Sequence, residues 1–251
     1  MSPIPITIFG LVGIPEIRSG DNLGKMILDA ISRNGMEFRD RDVIVVTQKI
    51  VSKAENRFKR INDIVASRSA DQLAKKLGRD PRYVQMILDE SRRVIKAERG
   101  IIITETKHGL ICANSGIDQS NLPAGVFTLL PEDPDASARK IRKSIMNKTG
   151  KDIAVIISDT FGRPLREGHI DIAIGISGMQ PILDYAGKMD KFGNRIAVTA
   201  MAIADELASS AELVRRKLDD IPVALIRGYS YNDGSGSAAE LNMPNSKSLF
   251  K

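Results

Sequence analysis

Two aspartates, each close behind an apolar run, are the residues of this 251-residue chain that most favour chemistry. Asp118 lies in the polar segment 114–121 (NSGIDQSN), directly after a predicted strand, and Asp159 precedes Thr160 at the end of another. Carboxylate and hydroxyl oxygens are the ligands that Mg²⁺ and related cations prefer, and the Asn121 amide can contact a base or a phosphate. The alternatives are an Asx-rich turn around Asp118 and a solvated strand exit at Asp159.

Basic side chains follow two of the predicted strands. Arg163 and Arg166 come after Asp159 in a predicted loop with two glycines, where guanidinium groups can neutralise phosphate or carboxylate oxygens. Lys49 and Lys53 follow the predicted strand 42–47, where an ammonium group can act as a point charge for phosphate. These lysines could equally be solvated surface residues.

A glycine-led turn, Gly13-Ile14-Pro15-Glu16-Ile17, follows the first predicted strand. Glycine allows backbone N–H groups to approach a ligand closely, although the pattern alone is weak. Neither G-x-x-x-x-G-K-[ST] nor G-x-G-x-x-G occurs in the sequence, so neither of the two common glycine-rich phosphate-binding loops is expected.

Cysteine and histidine content excludes other kinds of site. The single cysteine, Cys112, rules out an internal disulfide and a multi-cysteine metal site, and its apolar neighbours favour a packed side chain. The two histidines, His108 and His169, lie in separate segments, so a zinc site is not expected.

Charge and composition favour small anionic ligands. Lys and Arg exceed Asp and Glu by 37 − 31 = 6, which suits nucleic acid or small polyanions. Aromatic residues make up only 4% and Trp is absent, which argues against a base-stacking platform and hence against nucleic acid. No apolar run reaches the ~18 residues of a membrane span, and the first ten residues lack the features of a signal peptide. We therefore expect a cytoplasmic protein without a membrane partner.

The order of predicted elements indicates a mixed α/β fold, because strands and helices do not alternate strictly. Predicted strands cover 4–9, 42–47, 100–106, 109–113, 152–158, 170–177 and 222–227. Predicted helices cover 23–34, 69–77, 81–92, 135–148 and 200–217. We expect one domain over residues 1–251, with a helical insertion at 66–98 and a mobile Gly/Ser/Asn-rich tail at 232–251.

Taken together, these segments resemble the archaeal and actinobacterial F420-0:gamma-glutamyl ligases. The resemblance spans nearly the whole chain and includes the order and spacing of the matching sequence motifs. They are GIPEI, VTQKIVSKAE, ICANSGIDQSN, PEDPDASARKIR, VIISDTFGRPLREG, DIAIGISG, AIADELASSAELV and IPVALIRG.

The resemblance implies a two-lobed α/β fold with a nucleotide cleft and an intertwined homodimer. It also implies a ligase that uses GTP, two Mg²⁺ or Mn²⁺ ions and K⁺. This enzyme would join L-glutamate to the lactyl carboxylate of coenzyme F420-0 through an acyl phosphate and add a second glutamate by a gamma-linkage. The alternatives are a GTP-binding dimer without turnover, a related ligase for another acid, and a basic nucleic-acid binder.

The resemblance also assigns roles to individual residues. Asp118, Asp159 and Thr160 would be metal ligands, and Asp118, Asp159, Arg163 and Arg166 would serve catalysis. The residues that would contact GTP are Ile14, Pro15, Glu16, Ile17, Gln48, Lys49, Lys53 and Asn121.

One stretch departs from the family pattern. Where relatives often carry a glycine followed by Gln or Glu, this chain has Arg216 and Lys217. A lysine ammonium cannot ligate a cation, although it can replace the charge of one, and Asp219 could reach in as an oxygen ligand. We therefore predict that Arg216 and Lys217 face the nucleotide. Whether a second metal ion binds depends on whether this stretch supplies an oxygen ligand.

Overall fold

The computed structural model describes residues 5–244 and 246–248, so the predicted strand start at Ile4 lies outside the described residues. The fold is mixed α/β, as expected. The strands are β1 Thr7–Gly10, β2 Val43–Thr47, β3 Phe58–Arg60, β4 Ser91–Glu98, β5 Ile101–Thr106, β6 Ile111–Ala113, β7 Val126–Thr128, β8 Ala154–Arg163, β9 Arg166–Ser177, β10 Leu183–Asp184, β11 Ala200–Met201 and β12 Val223–Arg227. The helices are α1 Leu23–Arg33, α2 Gln48–Ala54, α3 Arg68–Leu77, α4 Pro81–Asp89, α5 Pro134–Thr149 and α6 Ile203–Arg215.

Local sequence signals fix most helix ends. The Asn22 side chain accepts a hydrogen bond from the Lys25 N–H and begins α1, and Asp133 caps α5 in the same way. Gly78 and Gly150 adopt left-handed conformations that end α3 and α5. These helices therefore begin and end within one or two residues of the predicted positions.

A five-stranded sheet in the order β1-β12-β2-β8-β9 forms the centre of the fold. The β2 and β8 strands are parallel, and every other neighbouring pair in this sheet is antiparallel. The parallel register sets Thr47 beside Ser158, so the chain leaves β2 next to the middle of β8. This register brings the residues that follow Thr47 near Asp159.

Both faces of the central sheet are buried, which explains the continuous apolar run of β2. Ile44 and Val46 belong to the cluster that includes α1 and α5, whereas Val43 and Val45 pack with α6. Alternate residues of a strand point to opposite faces, so a strand covered on both sides must be apolar throughout. A third cluster joins α3 and α4 to β5 and β7 through residues such as Val84, Ile87, Ile102 and Phe127.

Two predicted boundaries were wrong. The predicted helix 81–92 ends at Asp89, and the rest of the expected helical region at 91–98 forms β4, which pairs with β5. The predicted strand 152–158 continues as β8 to Arg163 and forms a long hairpin with β9. Asp159 and Thr160 therefore lie within a strand instead of after it.

The last helix is shorter than predicted and leaves the basic residues outside it. Helix α6 ends at Arg215, so Arg216 and Lys217 occupy the connection to β12. Arg216 has φ 42°, a left-handed value that favours glycine.

The Gly/Ser/Asn-rich tail includes a short 3₁₀ helix, Ala238–Leu241, capped by Ser237, with Ala238 packed in the α6 cluster. Its mobility stays a prediction. Among the described residues, none of the helices has the length and apolar character needed to cross a membrane.

Candidate active site

The site lies where three chain segments meet at one end of the parallel β2–β8 pair. Lys49 lies in the first turn of α2, which follows β2 without a break. Asp159 follows Ser158, the β8 residue that pairs with Thr47 of β2. Asp118 comes from a separate segment that bridges to Thr128 at the end of β7, and its backbone N–H donates to the Thr128 carbonyl at 3.1 Å.

Asp118 is held as an ionised carboxylate. Lys49 Nζ lies 2.6 Å from Asp118 Oδ2 and donates to the Ser120 carbonyl at 3.0 Å. The Ser120 N–H and hydroxyl each donate to the Asp118 carboxylate at 2.8 Å. Burial raises the pKa of Asp118, but hydrogen bonds from Lys49 and Ser120 outweigh it and hold the pKa below its usual value.

Asp159 lies in the opposite electrostatic environment. Asp159 is half-buried. Desolvation, together with the nearby carboxylates of Asp171 and Asp118, raises the pKa of Asp159 to about 7, although the Thr160 N–H and Lys217 lower it. Thr47 pairs with Ser158, and Lys49, two residues after Thr47, contacts Asp118, so the two aspartates lie at the same end of the β2–β8 pair. Their roles as metal ligands stay a prediction.

Thr160 connects this acidic pair to a buried network. Its hydroxyl donates to Asp171 Oδ1 at 2.7 Å and accepts a hydrogen bond from Lys217 Nζ. The second oxygen of Asp171 pairs with Arg215. Lys217 thus lies beside the predicted metal ligand Thr160.

A groove of about 620 Å³ opens between α2 and the segment 121–126 that follows Asp118, and neither Asp118 nor Asp159 lines it. It contains four of the predicted nucleotide contacts, Glu16, Ile17, Lys53 and Asn121. Lys53 pairs with Glu16 and its side chain is only 8% exposed. The other lining residues are Asn56, Phe58, Lys59, Arg60, Asp63, Ile64, Leu122, Pro123 and Val126.

Other predicted nucleotide contacts lie outside the groove lining. Ile14 packs against the core, Pro15 is exposed, and the buried Gln48 accepts a hydrogen bond from the Ser52 hydroxyl at 2.9 Å. The exposed Arg216 lies 3.7 Å from Asp219, on the connection after α6.

The two hairpin arginines are separated from the acidic pair. Arg163 pairs in register with Arg166 at the tip of the β8–β9 hairpin, and Arg163 donates to the Glu167 carbonyl. Arg163 lies four positions after Asp159, a distance of about 13 Å along the strand. Their catalytic role stays a prediction.

The donor set suits a hard cation that also binds phosphate. Among the described residues, no group of three or more His, Cys, Asp or Glu side chains is arranged to hold a metal ion. Mg²⁺ is commonly held by one or two carboxylates and completed by water and substrate phosphates. Asp118, Asp159 and the Thr160 hydroxyl are oxygen donors of the kind that fits that description.

Sequence reasoning missed Asp171, Ser120 and the Phe58–Arg60 wall of the groove. Asp171 could have been found, because an acidic residue at the start of the apolar run IAIGIS is unusual and buried carboxylates need partners. Ser120 and the groove wall give no such signal, because loop contacts determine their positions.

Cys112 is buried, as predicted, and burial raises the pKa of its thiol to about 12. Asp159 adds to this shift, so the thiol stays protonated near neutral pH. Burial and the raised pKa therefore favour a packed thiol over a thiolate nucleophile at this position.

Comparisons with known proteins identify the family of this chain. The family model described as F420-0:Gamma-glutamyl ligase matches residues 12–228. The coenzyme F420:L-glutamate ligase of Methanothermobacter thermautotrophicus is 40% identical over 98% of this chain and 99% of its own length. The protein of the same name from Methanocaldococcus jannaschii is 42% identical over 98% of this chain and 97% of its own length. The resemblance drawn from the sequence is confirmed, and this chain belongs to the F420-0:gamma-glutamyl ligase family.

Proposed function

We propose that this chain is a GTP-dependent ligase that joins L-glutamate to the lactyl carboxylate of coenzyme F420-0 and then adds a second glutamate by a gamma-linkage. Family membership supports the class of reaction and the acceptor. The observation that supports the proposal is the position of Asp118 and Asp159 at the same end of the β2–β8 pair, together with a groove lined by Glu16, Lys53 and Asn121.

The reaction requires activation because a carboxylate is a poor electrophile. The carboxylate oxygen of F420-0 attacks the γ-phosphorus of GTP, GDP leaves, and an acyl phosphate forms. The uncharged amine of glutamate then attacks the acyl carbon, its proton is lost to solvent, and inorganic phosphate leaves with the C–O bond electrons. Both steps bring anions together, so positioning and charge neutralisation are the main tasks of the protein.

Basic side chains of this chain supply part of the neutralisation. Lys53 lines the groove, Lys49 pairs with Asp118, and Lys217 lies beside Thr160. Lys49 and Lys53 are proposed to contact the phosphates of the nucleotide. Arg163 and Arg166 are proposed to contact anionic groups of the substrates from the hairpin tip. Arg216 is proposed to contact the nucleotide from the connection after α6.

Asp118, Asp159 and Thr160 are proposed to hold Mg²⁺ or Mn²⁺. Such a cation, when bound, neutralises charge on phosphate oxygens. The second cation and K⁺ follow from the family resemblance, and the ammonium of Lys217 at Thr160 Oγ1 limits the space for a second divalent ion.

A homodimer with a two-lobed nucleotide cleft completes the proposal. The small β4–β5–β6 sheet exposes the apolar side chains of Val94, Ile95, Ile101 and Ile111. Exposed apolar side chains on a small sheet are common at interaction surfaces, which supports association of two copies.

The proposal is tested with Asp159→Asn, supplied with GTP, glutamate, F420-0 and Mg²⁺. We expect phosphate release to fall by about 100-fold or more, because a preorganised charge at the phosphate is lost. Mass spectrometry of the product measures glutamate addition directly, and Asp29→Asn on the exposed surface of α1 is the matched control. Turnover of Asp159→Asn close to wild type at limiting Mg²⁺ would contradict the assignment.

A second candidate is a GTP-binding dimer without turnover. The contact between Lys217 and Thr160 favours it, because the ammonium occupies space beside a predicted metal ligand. Phosphate release that does not respond to F420-0 or to another acceptor acid, together with measurable GTP binding, would support this candidate over the ligase.

A further inference from the structure

A buried ion pair lies behind Thr160, on the side away from solvent. The Arg215 and Asp171 side chains are 1% and 3% exposed. Asp171 Oδ2 accepts from Arg215 Nη2 and, at 3.1 Å, from the Ser158 hydroxyl. Arg215 Nη2 also lies 3.0 Å from Ser158 Oγ.

The Arg215–Asp171 ion pair is a weak source of folding stability, because burial of its charges is costly. Arg215 Nε and Nη1 are buried without a hydrogen-bond partner among the described residues. Buried guanidinium groups with unpaired nitrogens are costly, and apolar residues of similar volume often replace buried ion pairs without loss of stability. Packing alone therefore does not explain the Arg215–Asp171 ion pair.

The hydrogen-bond directions indicate that role. A hydroxyl has one proton, and the Thr160 proton is directed at Asp171 Oδ1 at 2.7 Å. The oxygen lone pairs must then point elsewhere, and one of them already accepts from the Lys217 ammonium. Thr160 Oγ1 therefore acts as a hydrogen-bond acceptor for a positively charged group, the Lys217 ammonium.

Without Asp171, the Thr160 hydroxyl could rotate and present its proton to the site. A hydroxyl that faces a cation with its proton cannot serve as a ligand. Arg215 binds Asp171 Oδ2 and so holds Asp171 Oδ1 in place as the acceptor for the Thr160 hydroxyl. Residues that hydrogen-bond to metal ligands commonly fix the orientation of those ligands in this way.

We propose that Asp171, fixed by Arg215, is a positioning residue that takes the Thr160 proton and so presents the Thr160 oxygen to the cation of the active site. The inference rests on the proposed function, because it requires a divalent cation at Thr160. Neither Asp171 nor Arg215 touches the substrates in this scheme.

The test compares two double variants that both remove the buried charges. Asp171→Leu with Arg215→Met leaves the Thr160 hydroxyl without an acceptor. Asp171→Asn with Arg215→Met restores an acceptor oxygen at position 171 and differs from the first variant only there. Mn²⁺ binding is measured by electron paramagnetic resonance with saturating GDP, and melting temperatures are recorded in parallel.

The leucine variant should bind Mn²⁺ about 10- to 100-fold more weakly than wild type. The asparagine variant should recover to within about threefold of wild type. A merely structural pair predicts the opposite outcome, in which melting temperatures change and Mn²⁺ affinity is the same in all three proteins.

Thr160→Val provides the independent check. It should weaken Mn²⁺ binding in the wild-type background and have little further effect in the leucine double variant, because both changes remove the same interaction. Additive losses would overturn the inference. A wild-type chain that binds no Mn²⁺ and makes no glutamylated product would instead contradict the proposed function itself.

Discussion

At the scale of single residues, Asp159 is the group whose surroundings most oppose its charge. Burial and the carboxylates of Asp171 and Asp118 raise its pKa to about 7 from an ordinary value of 3.8. Active-site residues commonly carry such shifts, because the compensating charge arrives with the ligand. The metal-free protein should therefore be less stable at neutral pH than the same protein with this charge removed.

The pH dependence follows from the direction of this shift. Between pH 3.8 and about 7 the folded state binds the Asp159 proton more tightly than the unfolded state, so stability falls as pH rises. Asp159→Asn removes this dependence. We expect the variant in EDTA to exceed wild type by roughly 1–3 kcal/mol at pH 8 and to match it near pH 4.

Urea unfolding at several pH values measures the difference. Asp29→Asn on the exposed surface of α1 controls for loss of a carboxylate without burial. A constant difference between Asp159→Asn and wild type from pH 4 to 8 would show that Asp159 is not in the environment described.

At the scale of elements, the sequence predicted the strands of the buried sheet better than the exposed strands. The continuous apolar sequence of β2 and the capping residues of α1 and α5 are local patterns, and the structure has the strand and the helix starts that they predict. In contrast, β4 is mostly exposed and lacks an alternating pattern, so only its pairing with β5 defines it.

The same reason explains the misplaced end of β8. Gly162 and Pro164 favour a loop locally, but pairing with β9 extends the strand to Arg163. The roles of Asp118, Asp159 and Thr160 stay predictions. The position of Arg163 and Arg166 at a hairpin tip depends on long-range strand pairing, which a local sequence pattern does not reveal.

The contact between β9 and α5 provides a test at this scale. A Cβ added at Gly175 would lie 2.4 Å from the Pro134 carbonyl oxygen, which is backbone and cannot move aside cheaply. We expect Gly175→Ala to lower the free energy of unfolding by about 1–3 kcal/mol, because overpacking forces backbone shifts.

Gly162→Ala is the matched control in the same hairpin, since nothing lies within 4 Å of its added Cβ. Urea denaturation of both variants gives the comparison. Equal stability of Gly175→Ala and Gly162→Ala would be incompatible with the close approach of β9 to the start of α5.

At the scale of the whole molecule, a net charge of +6 suits the proposed reaction, in which every substrate is an anion. Three cations, Lys53, Lys59 and Arg60, line the groove together with the acidic residues Glu16 and Asp63. Lys53 is the most buried of these cations and pairs with Glu16. In the proposed nucleotide site, loss of Lys53 would leave Glu16 as an unpaired negative charge.

Ligand-induced stabilisation measures this effect. GTP with Mg²⁺ at 100 times its dissociation constant should stabilise wild type by about 2.7 kcal/mol. That gain corresponds to roughly 5–10 °C in melting temperature for a chain of this size. For Lys53→Gln at the same GTP concentration we expect the shift to fall below half, because a charge-assisted contact contributes about 1.5–3 kcal/mol.

The comparison is independent of any loss of stability that the substitution itself causes, because each protein is measured with and without GTP. Lys143→Gln, on the exposed side of α5, removes one positive charge without touching the groove and should keep the full shift. If both variants lose the shift equally, general charge and not the groove determines GTP affinity. If Lys53→Gln keeps the full shift, the nucleotide phosphates lie elsewhere and the groove must be reassigned to another substrate.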